Sequence, residues 1–160
     1  MATTIANATL TVTLTESITL NGSQQGATNT NTFASIDEIS KRILTITTAE
    51  STIATFSGAV ASAGHYNDSA VRYMRFTNKD DTNFITLTFR NQDNDEVAIK
   101  VDAGQSFIWC GDNANGMSSV FNATQDADAA SSTNFGSLTN IQADADTGSC
   151  DLEIFVAEKA

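Results

Sequence analysis

From Ala8 to Leu20 the chain reads A-T-L-T-V-T-L-T-E-S-I-T-L, with apolar residues at even positions and Thr or Ser at most odd ones. A period of two puts one residue type on each face of a β-strand. Thr is β-branched and suits a pleated surface that meets water. The same alternation returns at Phe84–Phe89, Glu96–Val101 and Asp151–Val156.

Followed along the chain, the pattern predicts a first strand over Thr9–Leu20, bent near Thr15-Glu16. A turn at Asn21-Gly22 and a polar loop through Asn31 come next, then strands at Thr32–Ile36, Lys41–Thr47 and Thr52–Ser57. Gly58–Ala70 reads as a loop. Val71–Thr77 and Asn83–Arg90, separated by Asn78-Lys79-Asp80-Asp81-Thr82, read as a hairpin: a short polar turn between two β-rich runs. Together with Glu96–Val101 and Ser106–Cys110 they make a meander of four antiparallel strands. Gly111–Gly148, rich in Asn, Asp, Ser and Ala, reads as long loops, and Cys150–Ala157 as a closing strand. The predicted class is all-β, a single antiparallel β-sandwich, jelly-roll-like, with an open barrel as the other closure of such strands. Residues 1–8 read as an N-terminal arm and 9–160 as the sandwich. Parity turns Leu87, Phe89, Val97, Ile99, Leu152 and Ile154 inward together.

Composition narrows the partners. The 160 residues suit one domain with a core of its own. Pro is absent, so Gly, Asn, Asp and Ser make the turns. Charged residues are only 17% of the chain. That fits either a secreted or low-complexity β-protein or one that self-assembles, where few long charged side chains need be desolvated at contacts. The net charge of −11 and the scatter of the eight Lys and Arg argue against duplex nucleic acid and anionic membrane as partners. Met1–Ala6 has neither a basic nor an apolar leader segment, so synthesis in a cytosol is expected, and no apolar run approaches membrane-spanning length. In that compartment Cys110 and Cys150, each at a predicted strand edge, default to reduced side chains, with a bridge as the alternative.

No catalytic constellation stands out. His65 is the single His and has no nucleophile-elbow pattern beside it. Asp93 with Asp95, Asp126 with Asp128, and Asp144 with Asp146 are spaced like Ca²⁺ ligands, but the twelfth position after Asp144 is Phe155 rather than Glu. They read as turn-making residues. Trp109 is the only Trp, which leaves few platforms for sugar. No catalytic, metal or cofactor residue is assigned, and no cofactor is expected. The anomalies are apolar: Phe84 shares a face with Thr86, Thr88 and Arg90, and Phe155 shares one with Asp151 and Glu153. Such aromatics are covered by the chain's own loops or by a neighbouring subunit. Long weakly ordered stretches carry contacts, so the interface candidates are Ile5, Met117, Val120 and Phe121, together with Phe84 and Phe155.

The segments V-R-Y-M-R-F-T-N-K-D-D-T-N-F (Val71–Phe84) and V-A-I-K-V-D-A-G-Q-S-F (Val97–Phe107) carry a resemblance. They resemble small β-rich virion proteins of tailed phages, especially marine ones. There a strand runs into an N-x-D-x-T-N hairpin and a later strand ends in an A-G-x-S-F turn; a last acidic-apolar strand like Cys150–Ala157 is typical. No active-site residues transfer with the resemblance. It implies a virion structural protein, above all a capsid decoration (cement) protein made in the host cytoplasm and held on the shell by the major capsid protein. A homo-oligomer is implied as well, a trimer where such proteins occupy three-fold positions. A tail or connector subunit is the nearest other role. A carbohydrate- or receptor-binding β-module is the alternative of a different class, against which one Trp and two Tyr weigh.

Overall fold

The computed structural model describes residues 6–56, 63–111, 116–117 and 137–159. Thirteen strands lie among them: β1 (Ala8–Thr15), β2 (Thr19–Leu20), β3 (Ser23–Gln24), β4 (Thr28–Ile36), β5 (Glu38–Ile46), β6 (Ser51–Phe56), β7 (His65–Tyr66), β8 (Val71–Asn78), β9 (Ile85–Asn91), β10 (Glu96–Val101), β11 (Ser106–Cys110), β12 (Leu138–Ala145) and β13 (Cys150–Glu158). One sheet has the order β10-β9-β12-β6-β7 and the other β11-β8-β13-β5. Their inner faces pack together into a β-sandwich, antiparallel throughout except for the short β6–β7 pair. β1 and β4 form a separate two-stranded ribbon, with β2 and β3 as its tip.

The core follows from alternation. Leu87 and Phe89 on β9, and Leu152 and Ile154 on β13, are buried as their parity demands. Aromatic rings lock the two sheets to each other. Phe76 on β8 meets Phe89 edge-on at 6.5 Å and stacks with Phe107 at 6.5 Å, and Phe89 meets Trp109 edge-on at 5.3 Å. Ile99 is half-buried against this core. Val97, which parity also turns inward, is instead exposed, because β10 is the free edge of its sheet and little lies opposite its outer end.

Four expectations are corrected. β8 and β9 are not a hairpin: β8 pairs with β11 and β13, and β9 pairs with β10 and β12 in the opposite sheet. The expected meander therefore breaks up: of its consecutive strands only β9 and β10 pair, and β8 pairs instead with β11. Crossing between sheets lets Phe76 and Phe89 face each other, whereas a hairpin would set them side by side. Second, Thr28–Asn31 is strand rather than loop. Third, Leu138–Ala145, read as part of a long loop, is an interior strand between β9 and β6. Fourth, His65–Tyr66, inside the expected Gly58–Ala70 loop, is a short strand paired with β6. The cysteines are not neighbours. Cys110 pairs with Tyr73, which pairs with Ala157, seven residues along β13 from Cys150, roughly 23 Å away at 3.3 Å per residue. Both are free thiols, Cys110 exposed and Cys150 buried, and burial pushes each pKa up.

Asn78 holds the corner where the chain changes sheets. Fully buried at the end of β8, its Nδ2 donates to the Asn83 carbonyl (2.8 Å) and the Val101 carbonyl (3.2 Å), and its Oδ1 accepts from the Asp80 amide (3.0 Å). The crossing itself is an Asx-type turn, in which the Asp80 carboxylate accepts the Thr82 (2.8 Å) and Asn83 (2.6 Å) amides. Those hydrogen bonds hold the Asp80 pKa below its usual value.

Candidate interaction surface

β1 and β4 pair in register from Leu10↔Phe33 to Thr15↔Thr28, and directly opposed residues share a side of the ribbon. One side is therefore a threonine ladder: Thr11, Thr13 and Thr15 opposite Thr32, Thr30 and Thr28. Its hydroxyls meet across the strands, Thr13 with Thr30 at 3.3 Å and Thr28 with Thr15 at 3.4 Å. The other side carries Leu10, Val12 and Leu14, opposed by Phe33, Asn31 and Asn29. At the ribbon's root, Leu10, Val12, Phe33 and Ile36 pack on Tyr73, Phe155 and Ala157 of the four-stranded sheet's outer face. The Phe33 and Phe155 rings each lie 6.0 Å from Tyr73.

Beyond the root nothing among the described residues covers the ribbon. From Thr13 to Thr32 every residue but Gly26 is exposed. Leu14, Ile18 and Leu20 are 56%, 57% and 59% exposed. The tip closes through Asn21 and Gly22, both with positive φ, the geometry of a primed two-residue turn that suits Asn-Gly. Gly26 lets the two strands close up at the kink: a Cβ there would fall 2.0 Å from the Glu16 carbonyl oxygen. Fully extended, the eight steps from Val12 to Leu20 would span at most about 26 Å. The only charge from Ala6 to Ile36 is Glu16, so −10 of the chain's −11 lies outside the ribbon and its root.

The outer face that receives the root is only partly covered. Strand pairing sets Ile39, Lys41 and Ile43 of β5 beside Ala157, Phe155 and Glu153 of β13, then Tyr73, Arg75 and Thr77 of β8, then Cys110, Ile108 and Ser106 of β11. Ile39 and Ile43 are more than half exposed, and Ile108 is 43% exposed. Charges on this face cancel. Glu153 takes Arg75 at 2.6 Å and Lys41 at 3.2 Å, which holds its carboxyl below the ordinary range, Arg75 contributing most. Between ribbon and sheet lies an open groove of about 270 Å³, lined by Leu10, Val12, Tyr73, Arg75 and Phe155 among others.

The residues singled out from sequence fall in different places. Ile5, Val120 and Phe121 lie outside the described residues. Met117 is fully buried in the core, which takes it off the surface of the folded chain. Phe84 is half-buried, with the Lys100 ammonium 4.4 Å from its ring centre. Phe155 is half-buried beneath the ribbon, so its cover comes from the chain's own root. The bare apolar residues are others: Leu14, Ile18, Leu20, Ile39 and Ile43. The signal of the first three in the sequence is an alternating stretch that almost lacks charge, but alternation alone does not say that its apolar side outruns the sheet beneath it.

Where β4 turns into β5, the Asp37 amide donates to the Glu158 carbonyl at 3.2 Å, and the Glu158 carboxylate accepts the Asn67 amide at 3.3 Å. Burial raises the Glu158 pKa to about 7; the Asn67 bond opposes this, and nearby Glu38 and Asp37 add to it. An acid whose pKa is raised on folding prefers to fold protonated. Its contribution to stability is full below the unfolded value of 4.5 and is lost as pH rises toward 7. Discounted for the water that still reaches the carboxylate, the loss is about 1–2 kcal/mol. Glu158→Gln should therefore flatten the fall in denaturant midpoint between pH 5 and pH 8, and should be more stable than the parent at pH 8. An unchanged slope in the variant would show that Glu158 is not the titrating group.

Among the described residues no group of three or more His, Cys, Asp or Glu side chains could hold a metal ion. His65 is exposed on β7. No helix among them is long and apolar enough to cross a membrane. Comparison with family models, with curated proteins and with solved structures gives no match for this chain.

Proposed function

We propose that this chain is a structural protein of a phage virion, a capsid decoration protein that sits on the shell and reinforces it by protein–protein contacts. The observation that carries the reading is the ribbon: a nearly uncharged arm whose apolar side is bare at Leu14, Ile18 and Leu20, standing off an acidic sandwich. Solvent-exposed apolar residues lined up on a projecting element favour contact with another protein. The turn motifs at Asn78–Asn83 and Ala103–Phe107 support placing that contact in a virion. The expected partner is the major capsid protein. A sugar-binding role is disfavoured because Trp109, Tyr66 and Tyr73 are buried and offer no flat aromatic platform.

The test is to locate the protein in purified particles. Peptide mass spectrometry should find it in stoichiometric amounts, and cryo-electron microscopy should place its density on the shell exterior. Density on the tail would move it to a tail or connector role. Absence from intact particles would overturn the virion reading.

A further inference from the structure

We propose that the ribbon tip of one copy, through Leu14, Ile18 and Leu20, docks on the outer face of the four-stranded sheet of a second copy, over Ile39, Ile43 and the groove beside Phe155. The proposal rests on the assembly reading above in taking the tip as a contact surface, and it assigns that surface to a sister copy, leaving the contact with the shell to other parts of the chain.

The chain already makes this type of contact within itself. The same apolar side of the same ribbon, at its root, seats Leu10, Val12 and Phe33 on Tyr73, Phe155 and Ala157 of that face. The face therefore accepts the ribbon's apolar side, and it still has room. Ile39 and Ile43 remain 57% and 58% exposed at its β5 edge, and the groove of about 270 Å³ is open. Three bare aliphatic side chains on the donor meet two on the acceptor, and each gains from leaving water.

Charge points the same way. Two chains of net charge −11 repel each other in general. The tip brings only Glu16, and on the acceptor face Glu153 and Asp151 are balanced by Arg75 and Lys41. Tip against face thus brings few like charges together, Glu16 on the tip and Asp37 and Glu38 beside Ile39.

The tip does not satisfy its own chain's acceptor. Ile39 follows Ile36 by three residues and lies at the root, whereas the Asn21-Gly22 turn is at the far end of the ribbon. Donor and acceptor are different patches at opposite ends of one element. Such a contact is heterologous, head to tail, and it builds a ring where the rotation between copies closes.

Native mass spectrometry and light scattering of the full-length protein test this, and two variants keep the outcomes distinct. The parent should be a closed ring at micromolar concentration. Ile18→Asp with Leu20→Asp at the tip, or Ile43→Asp on the face, should weaken association by roughly a hundredfold or more. All three positions are more than half exposed, so circular dichroism and the unfolding midpoint should hold. Mixing the tip variant with the face variant should restore one intact contact and give a species of two chains that grows no further. A monomeric parent, a face variant that assembles like the parent, or a mixture that stays monomeric each overturns the proposal. A monomer that still binds particles would assign the tip to the shell protein and leave the virion role standing. A ring that is absent from particles would do the reverse.

Discussion

Phe76→Ala is expected to destabilise the sandwich by about 3–5 kcal/mol, the usual range for emptying a large buried aromatic site. The side chain is fully buried on β8, and its ring touches both sheets, edge-on to Phe89 and stacked on Phe107, each at 6.5 Å. Both neighbours sit on other strands of a closed aromatic cluster, so the space cannot collapse without moving β9 or β11. A domain of this size has about 5–15 kcal/mol of stability in all, so the variant should unfold at far lower denaturant. Val97→Ala is the control. It removes an apolar side chain of the same sequence parity from an exposed edge position and should stay within about 0.5 kcal/mol of the parent. Equal losses in the two variants would mean that the core lies elsewhere.

That contrast shows how far a period of two reaches. Parity fixed which way Leu87, Phe89, Leu152 and Ile154 turn, because a strand offers only two directions. It could not say which strands are edges, and so put Val97 on a par with Phe89. Neither could it see β12. There a register shift between Leu138 and Asn140 breaks the alternation, and the inward residues beyond Ile141 are Ala143 and Ala145, too small to mark a core by hydrophobicity. The β6–β7 pairing was equally hidden, since β7 is two residues long and parallel pairing leaves no turn signature.

The contact surface was legible only in part. Phe155 stood out as an aromatic on a polar face, and the reason is now physical: the ribbon root covers it. The alternation around Leu14, Ile18 and Leu20 predicts a strand and no more, because period two is the same for a strand in a sheet and a strand in a free ribbon. What separates the two cases is the partner strand. β1 pairs with β4, and neither joins the two large sheets. Pairing is a long-range property, and the local pattern that encodes strand and face does not encode it.

The corner between β8 and β9 shows the same limit and carries the second large effect. Asn78-Lys79-Asp80-Asp81-Thr82 looked like a hairpin turn because its residues are turn-makers, and a chain that crosses between sheets needs turn-makers just as much. The residue that distinguishes a crossing is Asn78, whose amide donates to carbonyls on both sides of the corner, Asn83 and Val101. Asn78→Asp replaces that donor with an acceptor at a site with no exposure, facing two carbonyl oxygens. The carboxylate would either be buried with its charge uncompensated or take up a proton, and both Asn83 and Val101 would lose a donor. Leaving buried polar groups unpaired costs about 1–3 kcal/mol each, more where a charge is involved, so the variant should lose about 3–5 kcal/mol at neutral pH. Part of this should return as pH falls through the carboxyl pKa, because a protonated acid can again donate one hydrogen bond. Asn78→Ala, which removes the donor without adding charge, should lose less and show no such recovery. Urea unfolding of the three proteins at pH 4.5 and pH 7.5 separates the two effects. Equal stability of Asn78→Asp and the parent at pH 7.5 would show that the crossing does not depend on this amide.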